Sequence, residues 1–183
     1  MIAEISLFIA IITLLMTIYI PKKLSWEQYY NSLITEYRSM EFGKAMQGVI
    51  LFYTETCGRD ASRIYKEYEK RYKEEVLNKC NKPYEDVLHY QRRLLAQFFL
   101  DLEKCANTPF YYIGKTRVQN DFTKSTKKLV KILYFMDLAV DNPEIFVDIS
   151  CHERIPKTSQ VKGMNKHLCH MYEMLKDSKE YIL

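Results

Sequence analysis

Glycine and proline are scarce in this chain, five of each in 183 residues. So few turn-formers exclude a turn-rich all-β fold and leave long helices with few joints. Charge is missing from the whole initial stretch: residues 1–21 hold no Lys or Arg and a single acid, Glu4. No two cysteines stand at C-x-x-C spacing. The five (Cys57, Cys80, Cys105, Cys151 and Cys169) are odd in number and widely scattered, which excludes a disulfide framework and fits free thiols in a reducing compartment. Also missing are the phosphate-loop pattern G-x-x-x-x-G-K-S/T and the dinucleotide pattern G-x-G-x-x-G. Neither the zinc-protease pattern H-E-x-x-H nor the nucleophile elbow G-x-S-x-G occurs.

What remains is an ordinary globular balance, 48% hydrophobic and 27% charged, which rules out large-scale disorder. The length admits one domain and a short appendage. Aromatics are plentiful, with 15 Tyr and 9 Phe to fill a helical core. The net charge of +4 is too mild to imply nucleic acid as a partner.

Residues 1–20 read MIAEISLFIAIITLLMTIYI, with no charge from Ile5 to Ile20. A helix over Ile5–Ile20 is about 24 Å long, and including Met1 to Glu4 brings it to about 30 Å, the hydrocarbon thickness of a bilayer. Ser6, Thr13 and Thr17 are tolerated there because their hydroxyls bond back to the preceding turn. Tyr19 falls at interfacial depth, Pro21 is expected to stop the helix, and Lys22 and Lys23 meet the water. A cleavable signal peptide would need a positive n-region and small residues at a cut site, and neither is present. A buried core helix fits less well, because the segment is apolar all round. The expectation is a transmembrane anchor over residues 1–21, contacting lipid through residues 1–20, and a cytoplasmic helical domain over 22–183. Positive charge directly after the span and none before it places the N-terminus outside and the C-terminal side in the cytoplasm.

Past the anchor, Ser25 to Gln28 resembles a capping box and opens a helix with Trp26, Tyr30, Leu33 and Tyr37 on one stripe. Ser39 caps the next, striped by Phe42, Ala45, Met46, Val49, Phe52 and Tyr53, and Cys57-Gly58 ends it. Asp60 caps a polar third helix carrying Ile64, Tyr68, Tyr72 and Val76. Pro83 is placed at the first position of a fourth, where Val87, Leu88, Gln91, Leu94, Leu95, Phe98, Leu102 and Cys105 repeat for about five turns. Phe110 to Gly114 reads as an apolar connection. A fifth helix is expected from near Thr116 to Val140, using Val118, Phe122, Leu129, Ile132, Leu133 and Met136, with Asn142-Pro143 ending it. A last helix, roughly 160–177, offers Val161, Met164, Leu168, Met171, Tyr172 and Leu175. The fold class is all-α: one N-terminal transmembrane helix, then an antiparallel bundle of about five to six helices.

Three groups of residues are candidates for chemistry. Cys151, His152, His167 and His170 gather near the C-terminus, and Cys and His are natural zinc ligands. Their spacing is unlike finger or knuckle patterns, so buried cysteines with surface or capping histidines is the preferred reading, and no cofactor is assigned. Lys124, Lys127, Lys128 and Lys131, with Lys115 and Arg117 upstream, crowd one side of the fifth helix and could meet anionic lipid or nucleic-acid phosphate, although such a face is usually solvated. On the fourth helix, Arg92 and Arg93 stand beside His89, Asp101 and Glu103; the two carboxylates are two residues apart and so point to different sides, which makes them no ready acid/base pair. Glu85 and His89 stand at i, i+4 and read as structural. A cysteine nucleophile is the nearest approach to catalysis, and no cysteine is singled out.

The segments Tyr30–Ala45 (YNSLITEYRSMEFGKA) and Gln91–Glu103 (QRRLLAQFFLDLE), with the anchor, resemble a family of small prokaryotic membrane-anchored helical proteins catalogued as a domain of unknown function. The resemblance implies a single span and a helical domain, and it carries no catalytic residue to this chain. The favoured function is a non-enzymatic, membrane-tethered module that binds a protein partner or itself. The alternatives are a tethered effector or enzyme using the C-terminal Cys/His residues, or a membrane-damaging effector whose span oligomerises.

Overall fold

The computed structural model describes residues 2–56, 61–78, 81–107, 111–122, 124–141 and 164–175. Among these the protein is all-α, with no strand. The helices are α1 (Ile2–Tyr37), α2 (Met40–Glu55), α3 (Ala61–Tyr72), α4 (Leu88–Ala106), α5 (Tyr111–Asp121), α6 (Lys124–Asp141) and α7 (Met164–Met174). A π turn, Lys73–Leu77, follows α3, and a 3-10 turn, Tyr84–Asp86, precedes α4.

Helix α1 departs most from expectation. It runs unbroken for 36 residues through Pro21, so neither a stop at Pro21 nor a new start at Ser25 occurs. A proline in a helix forfeits one backbone hydrogen bond and crowds the turn before it. Here the turns after it are held by the packing of Trp26, Tyr30 and Leu33. Thr13 Oγ1 donates to the Ile9 carbonyl at 2.9 Å and Thr17 Oγ1 to the Thr13 carbonyl at 2.7 Å. The two halves of α1 differ sharply. From Ile5 to Ile20 every large hydrophobic side chain is 41–64% exposed, whereas Trp26, Tyr30 and Leu33 are at most 6% exposed. The first half is long and apolar enough to cross a membrane, with a mean hydropathy of 2.0.

The core lies on the second half of α1 and is organised around α4, which packs on α1, α2, α3, α5, α6 and α7. The anticipated stripes are its substance: Phe42, Ala45, Val49 and Phe52 from α2; Leu88, Leu95, Phe98, Leu102 and Cys105 from α4; Leu129, Ile132, Leu133 and Met136 from α6. Tyr37, Phe42, Phe98 and Phe122 form an aromatic knot with centroid separations of 4.7–6.3 Å. Ser39 caps α2 as expected, its hydroxyl accepting from the Phe42 amide at 3.1 Å.

Two boundaries move. The helix expected over 116–140 is two helices, α5 and α6, because Phe122 turns into the aromatic knot and the axis restarts at Lys124. Tyr111 to Gly114 accordingly belongs to α5 rather than to a connection. Gly114 lets α5 close on α4, since a Cβ there would sit 3.0 Å from the Ala106 Cα. Pro83 caps the 3-10 turn, and α4 starts at Leu88 with Val87 as its cap. Val87 offers no side-chain acceptor, and Glu75 supplies one from across the junction, accepting from the Leu88 amide at 3.0 Å. The breaks assigned to Cys57-Gly58, Asp60 and Asn142-Pro143 lie outside the described residues.

Trp26 fixes α1 to the bundle. Its indole Nε1 donates to the Cys105 carbonyl at 2.8 Å, its ring stacks on Tyr30 at 5.5 Å, and the Arg117 guanidinium lies 5.6 Å above it. Trp26→Ala is expected to destabilise the bundle by roughly 3–5 kcal/mol, read as a lowered denaturant midpoint for the full chain in detergent. A change under about 1 kcal/mol would show that α1 is not anchored through this residue.

Candidate functional site

The structure draws two of the sequence candidates onto a residue that the sequence left unpaired. His167 and His170 lie one turn apart on α7, and both face Glu103 of α4. Their Nδ1 atoms stand 2.9 Å and 3.0 Å from Glu103 Oε2 and Oε1. Asn107, one turn along α4, donates its amide to Glu103 Oε1 as well. Glu103 is 3% exposed, and the imidazoles are half-exposed. Three donors on one carboxylate require each Nδ1 to carry the hydrogen. The Nε2 of each ring is then the nitrogen left for a ligand or a proton, the arrangement in which a carboxylate orients an imidazole.

Asp101 points elsewhere, accepting from Gln97 at 2.9 Å on the outer face of α4, so the two carboxylates form no pair. Cys151 and His152 lie outside the described residues. Among the described residues, no group of three or more His, Cys, Asp or Glu side chains is placed to hold a metal ion. Cys169 does not join His167 and His170. It points into the core, where burial pushes its thiol up to about 12 despite the Tyr134 hydroxyl beside it. Burial likewise lifts Cys105 to about 11, against the lowering effect of Trp26. Neither sulfur is a thiolate at neutral pH, and neither is therefore a nucleophile.

The remaining candidates are dispersed. Lys127 lies over the Tyr172 ring at 4.9 Å, Lys128 over Tyr53 at 5.9 Å and Lys131 over Phe135 at 5.8 Å. Each ammonium thus covers an aromatic ring of the bundle and holds a cation–π contact. The side chain of Lys124 is outside the description. Tyr19 and Lys22 are exposed and Lys23 is half-buried, all on α1 where its bare half meets the bundle.

A second polar cluster joins α3, α4 and α6: it takes up Arg92 and His89 of the fourth-helix candidates and adds Tyr68 and Asp137, which the sequence did not single out as partners. Arg92 forms a buried ion pair with Asp137, lies 5.5 Å over the Tyr68 ring, and leaves its Nε without an acceptor among the described residues. His89 Nδ1 and the Tyr68 hydroxyl are 2.8 Å apart, so His89 partners Tyr68 and not Glu85. Burial, with Arg92 and Arg93 nearby, holds the His89 imidazole below its ordinary 6.5. A cavity of about 440 Å³ opens beside this cluster, lined by Tyr84, Tyr90, Arg93 and Gln97 together with Arg92 and Asp137. The one sequence signal for the ion pair was charge at a position otherwise inside an apolar stripe.

The class these features define is an all-α bundle carrying a bare apolar helix and a buried carboxylate–dihistidine contact. No family model, curated protein or solved structure matches the chain.

Glu103→Gln removes the charge while keeping the shape, and is expected to lower stability by roughly 1–3 kcal/mol and to loosen α7, measured by amide hydrogen exchange at His167 to Cys169. Unchanged exchange would mean that the contact does not hold α7. His89 gives a pH signature. Because its folded pKa lies below 6.5, its contribution to stability is complete above that value and is lost as pH falls below it. The denaturant midpoint should therefore fall on acidification from neutrality more in the native chain than in His89→Gln. Parallel pH profiles would remove His89 from that role.

Proposed function

We propose that this protein is a single-pass membrane protein whose helical domain, held at the cytoplasmic surface, works by binding a protein partner or a second copy of itself. The observation that carries this reading is the division of α1 into a bare apolar half and a buried aromatic half within one helix. Twelve large apolar side chains exposed to water between Ile5 and Ile20 would be strongly unfavourable, and burial in lipid removes that penalty at about 25 cal/mol per Å². Lys22 and Lys23 after the span favour a cytoplasmic domain. The buried thiols of Cys105 and Cys169, neither in a disulfide, agree with a reducing compartment. Met40, Ile50, Leu51, Leu77 and Tyr84 are exposed apolar side chains away from the span, which suits a binding surface better than a catalytic one.

A tethered enzyme is the second reading. It draws on the Glu103-oriented imidazoles, with His167 or His170 as a general base.

Expressed in a bacterium, the full chain is expected in the membrane pellet and resistant to alkaline extraction. Replacing Ile11 and Leu14 by Lys should release it, at about 2.5–3.5 kcal/mol per lysine near the helix centre. Green fluorescent protein fused after Leu183 should fluoresce and alkaline phosphatase at the same point should be inactive. Active phosphatase would reverse the orientation, and a soluble native chain would remove the anchor.

A further inference from the structure

Two cavities lie toward opposite ends of the bundle, and the direction of the helices says which is which. Along α1, Trp26 meets Cys105 of α4 and Tyr37 meets Phe98. Helix α4 therefore runs antiparallel to α1, and its C-terminal end lies toward the bare half. There a cavity of about 270 Å³ is lined by Asn107, Lys115, His170, Glu173 and Met174. The cavity of about 440 Å³ beside Arg92 lies at the other end, on the turns of α4 that precede Phe98. Tyr37, level with Phe98, stands about 25 Å beyond Ile20 along α1. Whatever enters the larger cavity reaches it from water.

Its floor is buried and its wall is exposed. Arg92 and Asp137, paired with each other, are 8% and 3% exposed, and Ala96 lies with them. The wall is one strip of α4, on which Tyr90, Arg93 and Gln97 follow at i, i+3 and i+7. Tyr84 closes it from the 3-10 turn, its ring centroid 4.1 Å from that of Tyr90 and its side chain 68% exposed.

Cations exceed anions in this lining. Two guanidiniums stand against one carboxylate, which Arg92 already engages, so one positive charge is left over. Arg93 has no hydrogen-bond acceptor or ion-pair partner among the described residues, and the buried Nε of Arg92 has none either. Glu41, which accepts from the Tyr90 hydroxyl at 2.8 Å, and Asp101, which accepts from Gln97, do not line the cavity. A monoanion neutralises the surplus, whereas a phosphate dianion would set a second negative charge against Asp137. The guanidinium fork matches the two oxygens of a carboxylate. The open face of Tyr84 beside it suits an aromatic ring, whose offset or edge-on contact contributes beyond simple burial. The volume falls in the range of small-molecule sites.

From this we infer that the cavity binds a small aromatic carboxylic acid in its ionised form, its carboxylate on Arg93 above the Arg92–Asp137 pair and its ring against Tyr84. The inference goes beyond the partner-binding reading and does not depend on the anchor.

The test is calorimetric titration of the purified full chain in mild detergent with four probes. Phenylacetate should bind at least about tenfold more tightly than phenylacetamide, which lacks the charge, acetate, which lacks the ring, or phenyl phosphate, which is a dianion. Arg93→Ala should weaken phenylacetate by a similar factor, and Arg93→Lys, which keeps the charge and loses the fork, by less. Tyr84→Ala should bring phenylacetate down to the affinity of acetate. Both side chains are exposed, so helicity by circular dichroism should not change in any of these variants. Equal binding of phenylacetate and phenylacetamide would overturn the inference, as would an indifferent Arg93→Ala or no phenylacetate binding at millimolar concentration. Tighter binding of phenyl phosphate would also overturn it, by making the site one for a phosphate ester.

Discussion

The seating of Trp26 against the end of α4 is the contact on which the rest of the arrangement depends. It closes a hydrogen bond to the Cys105 carbonyl, one of the groups that the last turn of a helix leaves without a helical partner. It also draws Arg117 of α5 over the same ring. One side chain thereby sets α1, α4 and α5 at a common height. Because α1 is continuous through Pro21, that height is also measured from the apolar half of the helix. A flexible joint at residues 21–24 would have let the bundle float on a tether. The helix instead joins the bare apolar half to the bundle with no break in secondary structure.

Three polar links inside the bundle cross between elements. Glu103 links α4 to α7, the Arg92–Asp137 pair links α4 to α6, and His89 with Tyr68 links α4 to α3. Buried charges of this kind add little net stability over apolar packing, but they penalise every arrangement that leaves one of them unpaired. A core of Phe, Leu and Tyr alone tolerates sliding of one helix along another, whereas a carboxylate that must meet two imidazoles and an amide accepts one register. All three links terminate on α4, the helix that touches every other.

Much of the fold was legible from residue spacing. The stripes on α2, α4 and α6 are buried as their periodicity implied, and Ser39 caps α2. Helix ends were less legible, for particular reasons. Pro21 and Ser25 carry local signals for a break, and the burial of Trp26, Tyr30 and Leu33 outweighs them. Phe122 fits a continuous stripe from Val118 to Met136, yet its ring sits in the aromatic knot just past the end of α5. The cap of α4 was invisible because its acceptor, Glu75, comes from another element. His167 and His170 were marked by their i, i+3 spacing, but nothing in the sequence joins them to Glu103, 64 and 67 residues away.

The sequence by itself determined that the chain is helical, that its first twenty residues are long and apolar enough to cross a membrane, and which face of each later helix turns inward. Those are local properties, set by hydrophobic periodicity and by the distribution of charge. Tertiary structure alone decided that the apolar helix continues into the core and which carboxylate holds the two histidines. It also decided that Asn107, Lys115, His170 and Glu173 line one cavity at the end nearest the bare half of α1. Those facts depend on the heights at which distant helices meet, and a height is fixed only when side chains such as Trp26 are packed.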